Sequence, residues 1–387
     1  MRILYVAPDQ LIPGTQGGSV HVASVADGLA ARGHDVHVLA TPSEGAFPSG
    51  AVHWYDARPP MGMQKLRLLR SARVLTRARS VQPDVIIERY YNFGGEGLLA
   101  ASAVGALAVL EVNAPIIDYA GSPKQWVDRA LVVQPMRRWR NWQCTHTDLI
   151  VTPLSDIVPE SVPRERILEI EWGADTARFH PSAEGVIPFH REAGEIVVVF
   201  SGAFRAWHGA IHLVRAVAQL QASGRHDIKA VFIGDGPELK HVRHEASGLT
   251  GVIFTGRLPH NQMPACLAAA DIGVAPFDVT AFGPLSLGFF WSPLKVFEYM
   301  AAGLPVVAPN IDRLSQLIED GREGVLYDAS DATALAGALV ELADSVNRQK
   351  LAVAARHRAV KHYGWDSHCR KLEQGIRDAL NRRTSVG

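Results

Sequence analysis

Short β-rich runs alternate with longer helical segments along almost the whole chain, and the alternation stops once and begins again. That rhythm admits few folds. Strands separated by helix-length connections pair in parallel, so the pattern argues for an α/β protein with parallel sheets. In the first half the strands are read at residues 2–7, 35–40, 84–89, 108–112 and 148–152, with another around 167–171. A helix over residues 18–32 stops at Gly33, which suits the left-handed position after a helix end. A stretch punctuated by Gly173, Pro181, Gly185 and Pro188 then interrupts the rhythm, and the domain boundary is placed near residue 182. Strands resume at 195–200, 229–233, 251–255, 272–275 and 305–308, with a helix over 208–220. Two successive Rossmann-like units, 1–182 and 183–362, imply a two-domain protein with a cleft at the carboxyl ends of the sheets. A last helix occupies the tail, 363–387.

Length agrees, since 387 residues exceed one ordinary core. A formal net charge of zero disfavours nucleic acid as a partner. Cys144, Cys266 and Cys369 lie far apart without CxxC spacing, which argues against a disulfide framework and for a reducing, cytoplasmic setting. The residues after Met1 read as a strand rather than a signal peptide, and the longest apolar run, Gly97–Leu110, is too short to span a bilayer. No Asp-x-Asp occurs, and no His/Cys/carboxylate group shows ligand spacing along the chain, so no metal is expected.

The segment from Ser292 to Gly303 reads as a helix start that holds an anion. Ser292 suits the N-cap, Pro293 the first helical position, and Lys295 the third, where a cation is unfavourable unless an anion sits above it. Glu298 lies one turn deeper on the same face. A lysine for phosphate with a carboxylate behind it for ribose hydroxyls fits a nucleoside diphosphate. The plainer alternative is a solvated Lys295–Glu298 pair. Two Gly-rich turns offer backbone N–H groups in the same way: Gly14–Gly18 after the first strand, and Gly202–Gly209 after the strand that opens the second unit. Neither matches GxGxxG, so a dinucleotide is not indicated. Arg205 and His208 sit where side chains reach phosphate oxygens.

Two further stretches are cationic. Lys65, Arg67, Arg70, Arg73, Arg77 and Arg79 occur without an acid, beside an apolar stripe of Leu68, Leu69, Ala72 and Leu75. Arg137, Arg138 and Arg140 alternate with Trp139 and Trp142. Segment 65–79 reads either as a face for an anionic membrane or acidic acceptor, or as an ordinary solvated helix face.

Taken in order, the Gly17-Gly18 loop, Gly173-Ala174-Asp175…Phe179-x-Pro181, the Gly202–Gly209 turn, Ile233-Gly234-Asp235-Gly236-Pro237, Phe254-Thr255-Gly256 and Ser292–Val307 resemble a retaining, nucleotide-sugar-dependent glycosyltransferase of family 4 (glycosyl transferases group 1). The resemblance covers nearly the whole chain. It implies a GT-B fold of two Rossmann-like domains facing a central cleft, the nucleotide in the second, the acceptor in the first, and a last helix crossing back to the N-terminal domain. It implies hexose transfer from UDP or GDP to an acceptor hydroxyl without a metal or other cofactor. By resemblance Glu298 binds ribose, Lys295 and Arg205 bind diphosphate and stabilise the leaving group, and Gly17 and Gly18 close over the phosphates. Ser292, Leu294, His208, Gly234, Gly256 and Arg257 complete the nucleotide-sugar site, the last two near the base. His21 is a catalytic candidate, and Glu111 and Asn113 acceptor contacts.

Three departures stand out. Phe290 occupies the place of the first glutamate of the family's Glu-x7-Glu motif, Ala203 that of its phosphate arginine, and His208 that of its phosphate lysine. The other readings are a nucleotide-binding protein without transferase activity and a nucleotide-sugar epimerase.

Overall fold

In a computed structural model, residues 1–43, 45–58, 67–131, 133–311 and 313–386 are described. They divide into two compact units: Met1–Trp172 with Phe290–Ser292 and Trp365–Gly387, and Gly173–Phe289 with Pro293–Gly364.

The first unit is built on a sheet of seven parallel strands: β1 (Arg2–Ile12), β2 (Asp35–Pro42), β3 (His53–Asp56), β4 (Val85–Arg89), β5 (Leu107–Glu111), β6 (Leu149–Thr152) and β7 (Ile167–Glu169). Their order is 3-2-1-4-5-6-7. The central strands are mostly apolar, as strands covered on both faces tend to be, and every residue of β4 and β5 is buried, the charged Glu88, Arg89 and Glu111 at their carboxyl ends included. The second unit carries six parallel strands: β8 (Ile196–Ser201), β9 (Ile228–Ile233), β10 (Val252–Gly256), β11 (Ile272–Val274), β12 (Val306–Pro309) and β13 (Gly324–Tyr327). Their order, 10-9-8-11-12-13, repeats the winding of the first sheet. In each sheet the chain runs outward to one edge, returns to the middle and then runs to the other edge. The reversal lies between β1 and β4 in one and between β8 and β11 in the other. In open α/β sheets such a reversal is where connections leave on opposite faces and ligands bind at the carboxyl ends of the strands.

The expected strands form, with ends shifted by a few residues. β3 and β13, both edge strands, were not expected. The motif Gly173–Pro181 belongs to the second unit rather than the first. Ala174 N–H donates to the Tyr363 carbonyl, the Phe179 carbonyl accepts from Arg356 Nη1, and the Gly303 backbone lies against Pro181. The division therefore falls at Trp172/Gly173, ahead of the expected 182. The closing helix, Trp365–Val386, packs in the first unit with Cys369, Leu372, Ile376 and Ala379 buried.

The cationic stretches are mostly consumed by structure. Lys65 lies outside the described residues. On the helix Ser71–Val81 the buried face is Val74, Ala78 and Val81, whereas Leu68, Leu69 and Ala72 are exposed. Arg70 is buried, Arg77 lies over the Tyr55 ring at 3.7 Å, and Arg73, which donates to the Arg58 carbonyl, and Arg79 are the exposed cations of the helix proper. Arg140 is buried and paired with Asp118 at 2.8 Å, and Trp139 and Trp142 stack on each other at 4.6 Å. Among the described residues no helix is long and apolar enough to cross a membrane.

Candidate functional site

At the winding reversal of the second sheet lies a buried lysine. The helix Leu294–Ala301 presents Val296, Phe297, Tyr299 and Met300 to the core and carries Lys295 inward with them. Its ammonium stands 4.2 Å from the centroid of the Phe200 ring and 5.3 Å from that of Phe277, and Nζ has no hydrogen-bond partner among the described residues. Burial pushes its pKa down to about 7, with Glu298 pulling the other way. A buried cation without a hydrogen-bond partner is costly unless an anion neutralises it.

The backbone around it is cut to fit. Gly202 ends the β8 turn at φ 133°, and a Cβ there would sit 3.1 Å from Lys295 Nζ. Gly234, at φ 135°, lies so close to the Gly202 carbonyl that a Cβ would stand 1.9 Å from its oxygen. The Gly234 N–H donates to Gly256 at 2.9 Å, joining the ends of β9 and β10. His208 is half-buried, and its Nδ1–H donates to the Ala203 carbonyl. Burial and then the neighbouring Lys295 push its pKa far down, so it is a neutral donor rather than a second cation. Arg205 and Arg257 are exposed. Glu298 Oε1 lies 3.5 Å from His260 Nε2, a partner that linear reasoning missed because 38 residues separate them.

The expected cap of this helix is different. Pro293 holds the N-cap position with ψ 85° and Leu294 begins the helix, so Lys295 is its second residue rather than its third. The Ser292 hydroxyl is engaged in the first unit instead. It accepts from Trp172 N–H at 2.7 Å and donates to Glu171 Oε2 at 2.6 Å. Phe290 is buried against Trp291, a side chain doing core duty where a sugar-facing carboxylate was expected.

The first sheet has its own cluster at the corresponding reversal. The helix Gly17–Ala31 begins at the two expected glycines and buries His21 one turn on. A Cβ on Gly18 would stand 2.3 Å from Gln10 Oε1 and 3.3 Å from an Arg89 nitrogen. His21 Nε2 is 3.0 Å from Glu111 Oε2, and its Nδ1 has no hydrogen-bond partner among the described residues. The imidazole stacks on Trp172 at 4.4 Å and meets Trp365 and His368 edge-on. Glu111 also accepts from Arg89 at 2.7 Å, from Asn113 and from the Tyr5 hydroxyl. Burial alone would raise its pKa, but His21 and Arg89 hold the carboxyl well below the usual range. Asn113 in turn accepts from the Trp172 indole at 2.9 Å. The structure thus brings His21, Glu111 and Asn113 together, with Tyr5, Arg89, Trp172 and His368 added. Glu111 has both oxygens committed, which makes it a residue that orients His21. Arg89 was legible as a charge ending an apolar strand, whereas His368 arrives from the last helix and had no local signal.

Two parallel, doubly wound sheets are the architecture of the GT-B fold, which solved glycosyltransferases share. Two family models account for most of the chain: Glycosyltransferase Family 4 over residues 15–178 and Glycosyl transferases group 1 over residues 195–345. A GDP-mannose-dependent alpha-mannosyltransferase of Corynebacterium glutamicum is 25% identical over 98% of this chain and 89% of its own. A D-inositol 3-phosphate glycosyltransferase of Acidothermus cellulolyticus is 27% identical over 96% and 88%. Among solved structures, sucrose-phosphate synthase from Thermosynechococcus elongatus superposes with a TM-score of 0.74 at 17% identity, covering 98% of this chain and 99% of that one. Anabaena HepE with UDP and glucose superposes with a TM-score of 0.68 at 18% identity, covering 98% and 100%. The chain belongs to the family 4, group 1 glycosyltransferases and is a glycosyltransferase.

Proposed function

We propose that the protein transfers a hexose from a UDP- or GDP-sugar to an acceptor hydroxyl, with retention at the anomeric carbon and without a metal. The observation that carries this reading is the buried ammonium of Lys295, without a hydrogen-bond partner among the described residues, beside the Gly202 turn after β8 and with Glu298 one turn along its helix. In this reading Lys295 and Arg205 take the diphosphate, and His208 and the N–H groups of the Gly202 turn complete the cradle. Glu298 takes the ribose hydroxyls, and Gly234, Gly256 and Arg257 flank the base. The departing diphosphate accepts the acceptor proton on the same face of the sugar while the two cations hold its charge. Alignment and preorganised electrostatics supply most of the rate. His21 faces the acceptor through Nδ1, oriented by Glu111. GDP-mannose is the first donor to test, because the Corynebacterium relative carries that name over nearly its full length. The exposed side of the Ser71–Val81 helix, with Ala72 and Arg79, and Leu69 in the turn before it, is proposed as a face for an anionic surface or acidic acceptor.

The test is calorimetric titration of UDP, GDP, ADP and dTDP in EDTA, into wild type and Glu298→Ala. One nucleotide should bind tightly to the wild type and about ten- to a hundredfold more weakly to the variant, the loss of one or two charge-assisted hydrogen bonds. Binding of none would overturn the site. The buried Phe290 favours one alternative, a nucleotide-binding protein without transferase activity. In that case a nucleotide binds but the cognate sugar is neither transferred nor slowly hydrolysed.

A further inference from the structure

Opposite the carboxyl-end cluster of the first sheet, at the amino ends of β2 and β3, three metal-ligating side chains converge. Asp35 and His37 are two residues apart on β2 and so share a face, and His53 is the register partner of His37 on β3. Asp35 Oδ1 lies 3.0 Å from His37 Nε2 and 3.6 Å from His53 Nε2, and one ligand atom from each residue falls within 4.8 Å of the others. Zinc bonds of about 2.0–2.1 Å in tetrahedral geometry put ligand atoms roughly 3.3 Å apart, so the two measured separations bracket the edge of such a tetrahedron.

The surroundings fit as well. His37 Nδ1 is 3.0 Å from the Tyr55 hydroxyl, an outer contact of the kind that holds a ligating imidazole in place. The Nε2 of His37 is buried and faces the Asp35 carboxylate. The two imidazoles stack at 4.7 Å with planes 24° apart, and both Nε2 atoms approach Asp35 Oδ1. Asp35 Oδ2 accepts from Arg2 Nε at 3.3 Å, so one carboxylate oxygen is anchored and the other faces the histidines.

We propose that Asp35, His37 and His53 form a site for a divalent ion of the zinc class, with a fourth position left to water. It ties edge strand β3 to β2 and takes no part in sugar transfer. Along the sequence the set is invisible, because Asp35-x-His37 supplies two ligands and the third lies across the strand pair.

The full-length protein, stripped with chelator, is titrated with zinc chloride, and cobalt(II) absorption reports the ligand geometry. One ion should bind per chain, with intense visible bands from four-coordinate cobalt and a rise in unfolding temperature. Asp35→Asn and His53→Gln should each weaken binding roughly tenfold or more and abolish the thermal shift. His53 is exposed, so its replacement leaves the fold intact. His226→Gln, an exposed histidine of the second unit, should change nothing. Absence of saturable binding, or equal binding by His53→Gln, overturns the site. Neither result touches nucleotide binding, which is read separately in EDTA.

Discussion

A lysine whose ammonium is buried among Phe200 and Phe277 has no reason to stay charged until an anion arrives. With its pKa at about 7, free Lys295 is half-protonated near neutrality. A bound diphosphate raises that pKa, so above pH 7 binding must take up a proton. The expected result is a nucleotide Kd that is flat below about pH 6 and rises about tenfold per unit above pH 7. Lys295→Ala should flatten that rise and lower kcat by about 10²–10³, the cost of one preorganised group at a developing charge. Titrations from pH 6 to 9 check this, and an unchanged slope in the variant would remove Lys295 from the phosphate site. That this residue opens a helix was legible because its neighbours in sequence already spell a helix start. Its exact cap was not, because the Ser292 hydroxyl is taken by Glu171 and the Trp172 N–H, more than a hundred positions away. The pairing of Asp35 and His53 hides for the same reason: register, rather than spacing, brings them together.

Among the elements, β4 and the helix after it show how a charge placed inside a core can be structural. Glu88 is fully buried on β4 and accepts from the N–H groups of Gly95, Gly97 and Leu98 at 2.6, 2.9 and 3.0 Å, at the start of the helix Glu96–Val104. One carboxylate therefore serves the orphan donors that a capping side chain would normally satisfy. Gly94 and Gly97 are required, since a Cβ on either would stand 2.8 and 3.0 Å from a Glu88 oxygen. Glu88→Ala should cost about 3 kcal/mol, because it strands buried N–H groups without a partner. A lowered urea midpoint with an unchanged slope would show this, and a loss below about 0.5 kcal/mol would contradict it. Elements with strong apolar patterning were readable, and their ends drifted by only a few residues. β3 was not readable, because His53-Trp54-Tyr55-Asp56 is a short edge strand whose four residues are exposed or half-buried. The basic stretch read as a solvated or membrane-facing row, yet Arg70 is buried and Arg77 is folded onto Tyr55. Charge composition gives no hint of which cations find partners.

For the molecule as a whole, the repeated winding was written into the sequence as a rhythm that restarts, which is why two parallel sheets were expected. What the rhythm does not show is that the first unit is discontinuous. It takes its last helix from Trp365–Val386, almost two hundred residues after its sheet is complete. That helix buries Cys369, Leu372, Ile376 and Ala379, and Arg32, just past the end of the Gly17–Ala31 helix, donates to Glu373 at 2.6 Å. Cys369 fits only because position 28 is glycine, where a Cβ would meet its sulfur at 2.5 Å. His368 bonds the Glu171 carbonyl at 2.7 Å and leans on His21, so the same helix also finishes the cluster around the candidate acceptor residues. A chain ending at Gly364 should therefore leave an apolar stripe of the first unit in water, at about 25 cal/mol for each Å² uncovered. Four buried side chains of this size amount to several kcal/mol, comparable to the whole stability of an ordinary domain. The truncated protein should show the first unit unfolded or aggregated by hydrogen exchange, with β1 and β4–β6 exchanging freely, while the β8–β13 sheet stays protected and still binds nucleotide. Full protection of β1 in the truncated chain would mean that the helix is an ornament on the first unit rather than part of its core.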